Sequence, residues 1–130
     1  MKLSSIHHAA IIVSDYEKSR DFYVNQLGFQ VIWEHYRKRK MTGSWIYRWE
    51  RERTLWNWRF FGEQNPPKRV NRPEACGLRH LAFRVESVEE TARELEALGI
   101  SCEPIWTDEY TQKKMTFFFD PDGLPLDLHE

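Results

Sequence analysis

Two histidines, His8 and His80, each head a short apolar segment, HAAIIV and HLAFRV. A single histidine at a strand start is usually exposed or hydrogen-bonded. Two at equivalent places in a repeated pattern are instead candidate metal ligands. His35 and His129 have no such support and read as surface residues. A second concentration of chemistry lies between residues 33 and 58. Trp33, Trp45, Trp49, Trp56 and Trp58 fall there among Arg37, Lys38, Arg39, Lys40, Arg48, Arg51 and Arg53. Basic and aromatic residues so mixed could stack the bases of single-stranded nucleic acid. They could equally form two strands with bulky side chains on one face and solvated arginines on the other, and the period favours that. Trp45, Tyr47 and Trp49 alternate with Ile46, Arg48 and Glu50, and Trp56, Trp58 and Phe60 alternate with Asn57, Arg59 and Phe61. A hairpin turning through Arg51 to Thr54 follows.

The elements that carry these residues come from an internal repeat. HAAIIVSDYEKSRDFYVNQLG (8–28) and HLAFRVESVEETARELEALG (80–99) each run from a histidine-led strand through a serine and a helical pattern to Leu-Gly. The histidine-to-leucine spacing is 19 residues in the first copy and 18 in the second. Ser14 with Glu17 and Ser87 with Glu90 have the Ser-x-x-Glu spacing of a capping box. Gly28 and Gly99 suit the left-handed residue that ends a helix. Ser19, Phe22, Tyr23 and Leu27, and Val88, Thr91, Ala92, Leu95 and Leu98, form the apolar stripes. Strands are expected next at Phe29–Trp33 and in the hairpin, and in the second copy at Ser101–Ile105, Met115–Phe119 and Leu124–His129, with a turn at Pro121–Gly123. Each half therefore reads strand, helix, strand, strand, strand. The fold class is α+β: two βαβββ repeats, 5–64 and 78–130, forming a curled mixed sheet around a cleft, with helices outside. The linker 65–77 carries three prolines that forbid helix or central strand.

At 130 residues the chain is one domain's worth. With 41% hydrophobic and 30% charged residues, disorder, collagen and coiled coil are excluded. No apolar run approaches the ~18 residues of a membrane span and MKLSSIHHAA has no signal-peptide core, so the expected location is cytoplasmic. A formal charge of −1 supplies no basic field, which argues against nucleic acid as a partner. Cys76 and Cys102 are too few for a disulfide framework and too far apart for a metal-pair motif. They read as small buried hydrophobes in a reducing compartment.

Three segments carry a family resemblance: His8-x-Ala-Ile-x-Val-x-Asp15, GLRHLAF (77–83) and FFFDPDGLPLDLHE (117–130). They resemble the vicinal oxygen chelate superfamily, the glyoxalase I and bleomycin-resistance fold. RPEACGLRHLAF and YTQKKMTFFFDPDGLPL are similar to small bacterial glyoxalase-related proteins of the YaeR-like group. The resemblance spans nearly the whole chain and is weakest over residues 38–64. In that family each half gives a histidine from its first strand and a carboxylate from its last to one divalent metal. The resemblance therefore implies His8, His80 and Asp127 as ligands of zinc, nickel, iron or manganese, with Asp127 also the catalytic base. Relatives usually have glutamate where Asp127 stands, one methylene longer. The first-half carboxylate position, counted back from Asn65-Pro66-Pro67, falls on Arg59. A guanidinium ~5 Å from a dication at an effective dielectric of ~20 is repelled by about 7 kcal/mol. Arg59 must then turn aside, pair with Asp127, or weaken or exclude the metal. Glu50, Glu52 or Glu63 could replace the missing carboxylate only if the register slips.

The resemblance implies a glyoxalase-like lyase or isomerase acting on a small vicinal-oxygen substrate, a hemithioacetal or an α-hydroxycarbonyl compound. The metal would stabilise the enediolate left when a base removes the carbon-bound proton. The rival reading is a non-catalytic, naturally diverged or engineered, binding module. Its aromatic cup would hold a flat or anionic ligand by Trp49 and Trp58, with Arg48 or Arg59 on its charge. Packing at a subunit contact is a third use for the aromatics. The expected partners are a small molecule and a second copy in a homodimer, with no nucleic acid and no membrane.

Overall fold

The computed structural model describes residues 7–37, 42–51 and 54–130, with the backbone alone at residues 36–37, 42, 45, 47–51 and 54–57. The chain divides into two compact units, Met1–Pro67 and Lys68–Glu130. Among the described residues no helix is long and apolar enough to cross a membrane.

In the first unit β1 (His8–Val13) leads into α1 (Tyr16–Arg20), a π-helical segment (Asp21–Gln26), then β2 (Gln30–Arg37), β3 (Thr42–Arg51) and β4 (Thr54–Gly62). The sheet order is β1-β4-β3-β2, with β1 parallel to β4 and the other pairs antiparallel. Arg51 opposite Thr54 closes the expected hairpin. The second unit repeats the plan: β5 (Leu81–Arg84), α2 (Val88–Ala97), β6 (Trp106–Thr107), β7 (Lys114–Phe119) and β8 (Pro125–His129), in the order β5-β8-β7-β6. Each half is thus a βαβββ repeat whose first strand lies parallel to its last.

The two helices start alike but run differently. Ser87 caps α2 by accepting from Glu90 N, as the capping-box spacing implies. In the first copy the cap is Asp15, not Ser14, and its carboxylate accepts from Lys18 N. Asp15 and Ser87 each stand seven residues after His8 and His80, so the copies align at the cap. Their one-residue difference in length therefore falls inside the helix. The π-helical segment absorbs it, with Leu27 N bonded to Phe22 O five residues back. Gly28 (φ 75°) and Gly99 (φ 81°) end both copies in the left-handed region.

Aromatic rings fill the core of the first unit. Ile11, Val13, Phe22, Tyr23, Phe29, Trp58 and Phe60 are buried, and the Tyr23 and Phe60 rings stand 4.4 Å apart. Arg20 Nε donates to Glu34 at 2.7 Å and the Tyr16 hydroxyl donates to the same carboxylate, which ties α1 to β2. The Tyr16 ring also passes over Gly43, where a Cβ would lie 2.8 Å from Tyr16 Cδ2 and 2.9 Å from the His35 carbonyl. Tyr16 is 4% exposed and anchored at its tip, so it has nowhere to move. Gly43→Ala is expected to cost about 1–3 kcal/mol. The check is a lower urea midpoint with an unchanged slope.

The second core is more aliphatic: Phe83, Val88, Ala92, Leu95, Ile100, Phe118, Leu124, Leu126 and Leu128. Leu98, expected on the stripe, is 52% exposed because α2 has already ended at Ala97. The strand expected at Ser101–Ile105 is absent. Pro104 has no N–H to give to a ladder, and the Glu103 carbonyl accepts from Thr116 Oγ1 at 2.6 Å. Glu103 N to Phe117 O at 2.8 Å is left to hold this segment to β7, and regular pairing begins only at Trp106 opposite Met115. Cys76 is exposed and Cys102 half-buried, so neither is the buried hydrophobe expected.

Candidate functional site

The registers of the two parallel strand pairs place the candidate residues. Ala10 lies opposite Arg59 in the first unit, and Ala82 opposite Asp127 in the second. His8 and His80 each stand two residues before those alanines, so Arg59 and Asp127 hold equivalent positions. No slip brings Glu63 there, since β4 has ended at Gly62.

In the second unit the strands bring His80 and Asp127 together. His80 Nε2 is 3.9 Å from Asp127 Oδ2, beyond hydrogen-bonding range. Asp127 is 3% exposed, and among the described residues its Oδ1 is buried with no hydrogen-bond partner. Desolvation pushes its pKa up to about 6, with Asp108 adding to the rise and His129 opposing it. His80 is half-buried, edge-on to Phe117 at 5.3 Å, with Nδ1 3.3 Å from Arg79 Nη1. Burial and the Arg79 charge lower its pKa against the pull of Glu74, which favours the neutral imidazole. A neutral imidazole and a neighbouring carboxylate with one donor-less oxygen are a chemically sound pair of ligands for a borderline divalent cation. The second unit therefore fits part of a metal site. No group of three His, Cys, Asp or Glu side chains able to hold a metal occurs among the described residues.

The first unit is electrostatically opposite. His8 is exposed, with Nδ1 2.9 Å from His7 Nδ1. Desolvation, then Arg59, then His7 lower its pKa. Arg59 is half-buried, and among the described residues its Nε is buried without a hydrogen-bond partner. Trp58 does not share its face. It is 6% exposed and packs on Phe29 at 6.1 Å, so alternation along β4 puts it in the core rather than on a ligand. Arg48 and Trp49 lie on β3 opposite Asn57 and Trp56. Their side chains fall outside the described residues, as do Lys38, Arg39, Lys40, Glu52 and Arg53.

His129, expected on the surface, is half-buried on the same face of β8 as Asp127. Its Nε2 is 3.2 Å from Thr111 Oγ1 and 3.4 Å from Asp108 Oδ2. The Glu130 carbonyl and then Asp108 raise its pKa against desolvation. The spacing of Asp108, Thr111 and His129 gave no signal of this contact, because the residues meet only across the 108–113 loop. His35 is exposed as expected, stacked on Trp33 at 6.1 Å.

Sequence reasoning also missed a cleft of about 430 Å³ beside His80, bordered by the proline-bearing segment before it and by Trp106, Phe117 and Phe119. The available signal was three arginines, Arg69, Arg72 and Arg79, in the eleven residues before His80.

Comparison with known proteins adds to this geometry. The model of the glyoxalase/bleomycin resistance protein/dioxygenase superfamily matches residues 5–128. YwkD of Bacillus subtilis (strain 168) is 50% identical over 138 residues, spanning 100% of this chain and 99% of its own. YaeR of Escherichia coli (strain K12) is 45% identical over 132 residues, spanning 98% and 97%. The crystal structure of SMU.1112c superposes with a TM-score of 0.87 at 51% identity, covering 99% of this chain and 100% of that one.

Proposed function

This chain belongs to the glyoxalase/bleomycin resistance protein/dioxygenase superfamily, and we propose that it is a divalent-metal-dependent lyase or isomerase acting on a small substrate with two adjacent oxygens. The observation that carries the reading is the Asp127 carboxylate, whose Oδ2 lies 3.9 Å from His80 Nε2 and whose other oxygen, Oδ1, is buried without a donor among the described residues. An orphaned carboxylate oxygen is costly to bury, and a cation is the partner that suits it. The fosfomycin resistance protein FosX of Listeria monocytogenes shares the fold, with a TM-score of 0.72 at 20% identity, and its crystal structure is a complex with Mn(II) and sulfate. That ion is FosX's own and supports only the class of cofactor.

His80 and Asp127 are the proposed ligands from the second unit. A bound divalent ion would supply Lewis acidity toward the two substrate oxygens of a hemithioacetal or an α-hydroxycarbonyl compound. Asp127, the base that the resemblance implies, accepts the carbon-bound proton on the carboxylate oxygen that the ion does not hold. His80 stays neutral and keeps its lone pair for ligation.

The test is metal uptake followed by turnover. Purified protein incubated with zinc, nickel, iron or manganese is expected to hold about one ion per chain and to isomerise a hemithioacetal in a chelator-sensitive way. His80→Ala is expected to lose both. No ion in either protein overturns the proposal. Arg59 favours a second reading, a non-catalytic anion-binding module. That reading predicts ligand binding indifferent to chelator and no turnover.

A further inference from the structure

The cleft of about 430 Å³ lies wholly within the second unit and falls in the size range of small-molecule sites. Its lining combines two chemistries. One is aromatic: Trp106 and Phe117 pack at 5.7 Å, and Phe117 meets the edge of His80. Trp106 and Phe119 remain 39% and 40% exposed, large apolar surfaces open to the cleft. The other is charged: Arg69, Arg72 and Arg79, together with Glu74 and Glu103.

The three arginines are not equivalent. Arg79 Nε donates to Glu74 at 2.9 Å, and the two charges cancel. Arg69 is committed to structure, donating to Asn71 Oδ1 at 2.7 Å and to the carbonyls of Leu78 and Arg79. Those acceptors are neutral, so Arg69 keeps its charge in the cleft. It also helps to brace the 69–79 segment, because Asn71 Nδ2 donates to the Gly123 carbonyl at 2.8 Å. Among the described residues Arg72 alone of the three takes part in no hydrogen bond or ion pair, and its guanidinium fork is free. With three positive charges against two negative, the lining favours an anion.

We infer that the cleft binds a small organic oxyanion, a carboxylate or phosphate ester with an apolar body. Arg72 grips the anionic group, and Trp106 and Phe119 form the surface on which the apolar body lies. A guanidinium fork matches either oxyanion with two parallel hydrogen bonds. His80 lines the same cleft. The inference names the substrate class of the proposed enzyme and so rests on that reading, while the cleft's own chemistry can be tested separately.

The probes are phenylacetate, phenyl phosphate and the neutral 2-phenylethanol, titrated calorimetrically into the full chain with and without added metal. Wild type is expected to bind both anions and to take 2-phenylethanol at least tenfold more weakly. Arg72→Ala is expected to weaken the anions at least tenfold without affecting the neutral probe, and Arg72→Lys to recover part of the loss. Trp106→Ala should weaken all three. If Arg72→Ala loses its far-UV circular dichroism, Arg72→Gln takes its place. No anion binding by wild type, equal binding of the neutral probe, or indifference to Arg72 substitution overturns the inference. Anion binding through Arg72 in protein that takes up no metal leaves this inference standing and removes the metal-dependent reading. Metal uptake without anion preference does the reverse.

Discussion

Asp127→Asn is expected to lower metal affinity by at least a hundredfold and yet to make the metal-free protein more stable at pH 7. The two effects share one cause. Asp127 is 3% exposed, its Oδ1 has no donor, and desolvation lifts its pKa to about 6. Ionising it in the folded state is therefore costly compared with an unfolded value of about 3.9, and the difference is on the order of 3 kcal/mol at neutral pH. The sign follows from the raised folded pKa. The stabilising contribution is complete below about pH 4 and is lost as pH rises through about 6. Asparagine keeps the shape without the charge, so the variant should lack this dependence.

Metal should reverse the dependence, because a ligand carboxylate must be deprotonated. Affinity in wild type should rise through about pH 6 and level off above it. Urea unfolding of both proteins between pH 4 and 8, with chelator and with added zinc, reads all of these effects. Equal metal affinity in the two proteins would remove Asp127 from the ligand set. Parallel pH profiles without metal would mean that burial does not control its ionisation.

Phe60→Ala should be the most damaging of the core truncations in the first unit, at about 3–5 kcal/mol. Phe60 is fully buried on β4, between the parallel neighbour β1 and the antiparallel neighbour β3, opposite Ile11. Its ring meets Tyr23 at 4.4 Å, and Tyr23 in turn meets Phe22 at 5.1 Å and Phe29 at 5.6 Å. Removing it opens a cavity that rigid rings cannot collapse to fill. Phe60→Leu, which keeps most of the volume, should cost well under half as much. A Phe60→Ala loss below about 1 kcal/mol by urea unfolding would mean that this aromatic cluster is not what holds the first unit together.

The elements were legible in the sequence because the signals that set them are short-ranged. Ser87 and Glu90 meet across one helical turn, and the alternation of Trp56, Trp58 and Phe60 sets β4. Errors came where two local signals competed or a distant residue intervened. Asp15 displaced Ser14 as the cap because the helix starts one residue later. Between Ser101 and Ile105, Pro104 has no N–H for a ladder and the Glu103 carbonyl is bonded by the distant Thr116 hydroxyl, where a strand was expected.

The candidate site shows the same division. The repeat alone determined that His8 and His80 are equivalent, and matching to the family brought in Asp127 and Arg59. The registers Ala10–Arg59 and Ala82–Asp127 agree with that correspondence. Only the tertiary structure decided that Trp58 faces the core, that Asp127 Oδ1 is buried without a donor, that His129 rests on Asp108, and that Arg72 is free while Arg69 and Arg79 are engaged. The reason is physical. Sequence period assigns a side chain to a face, but burial and pairing depend on which distant groups the fold brings against that face, and they set both the ionisation of Asp127 and the availability of Arg72.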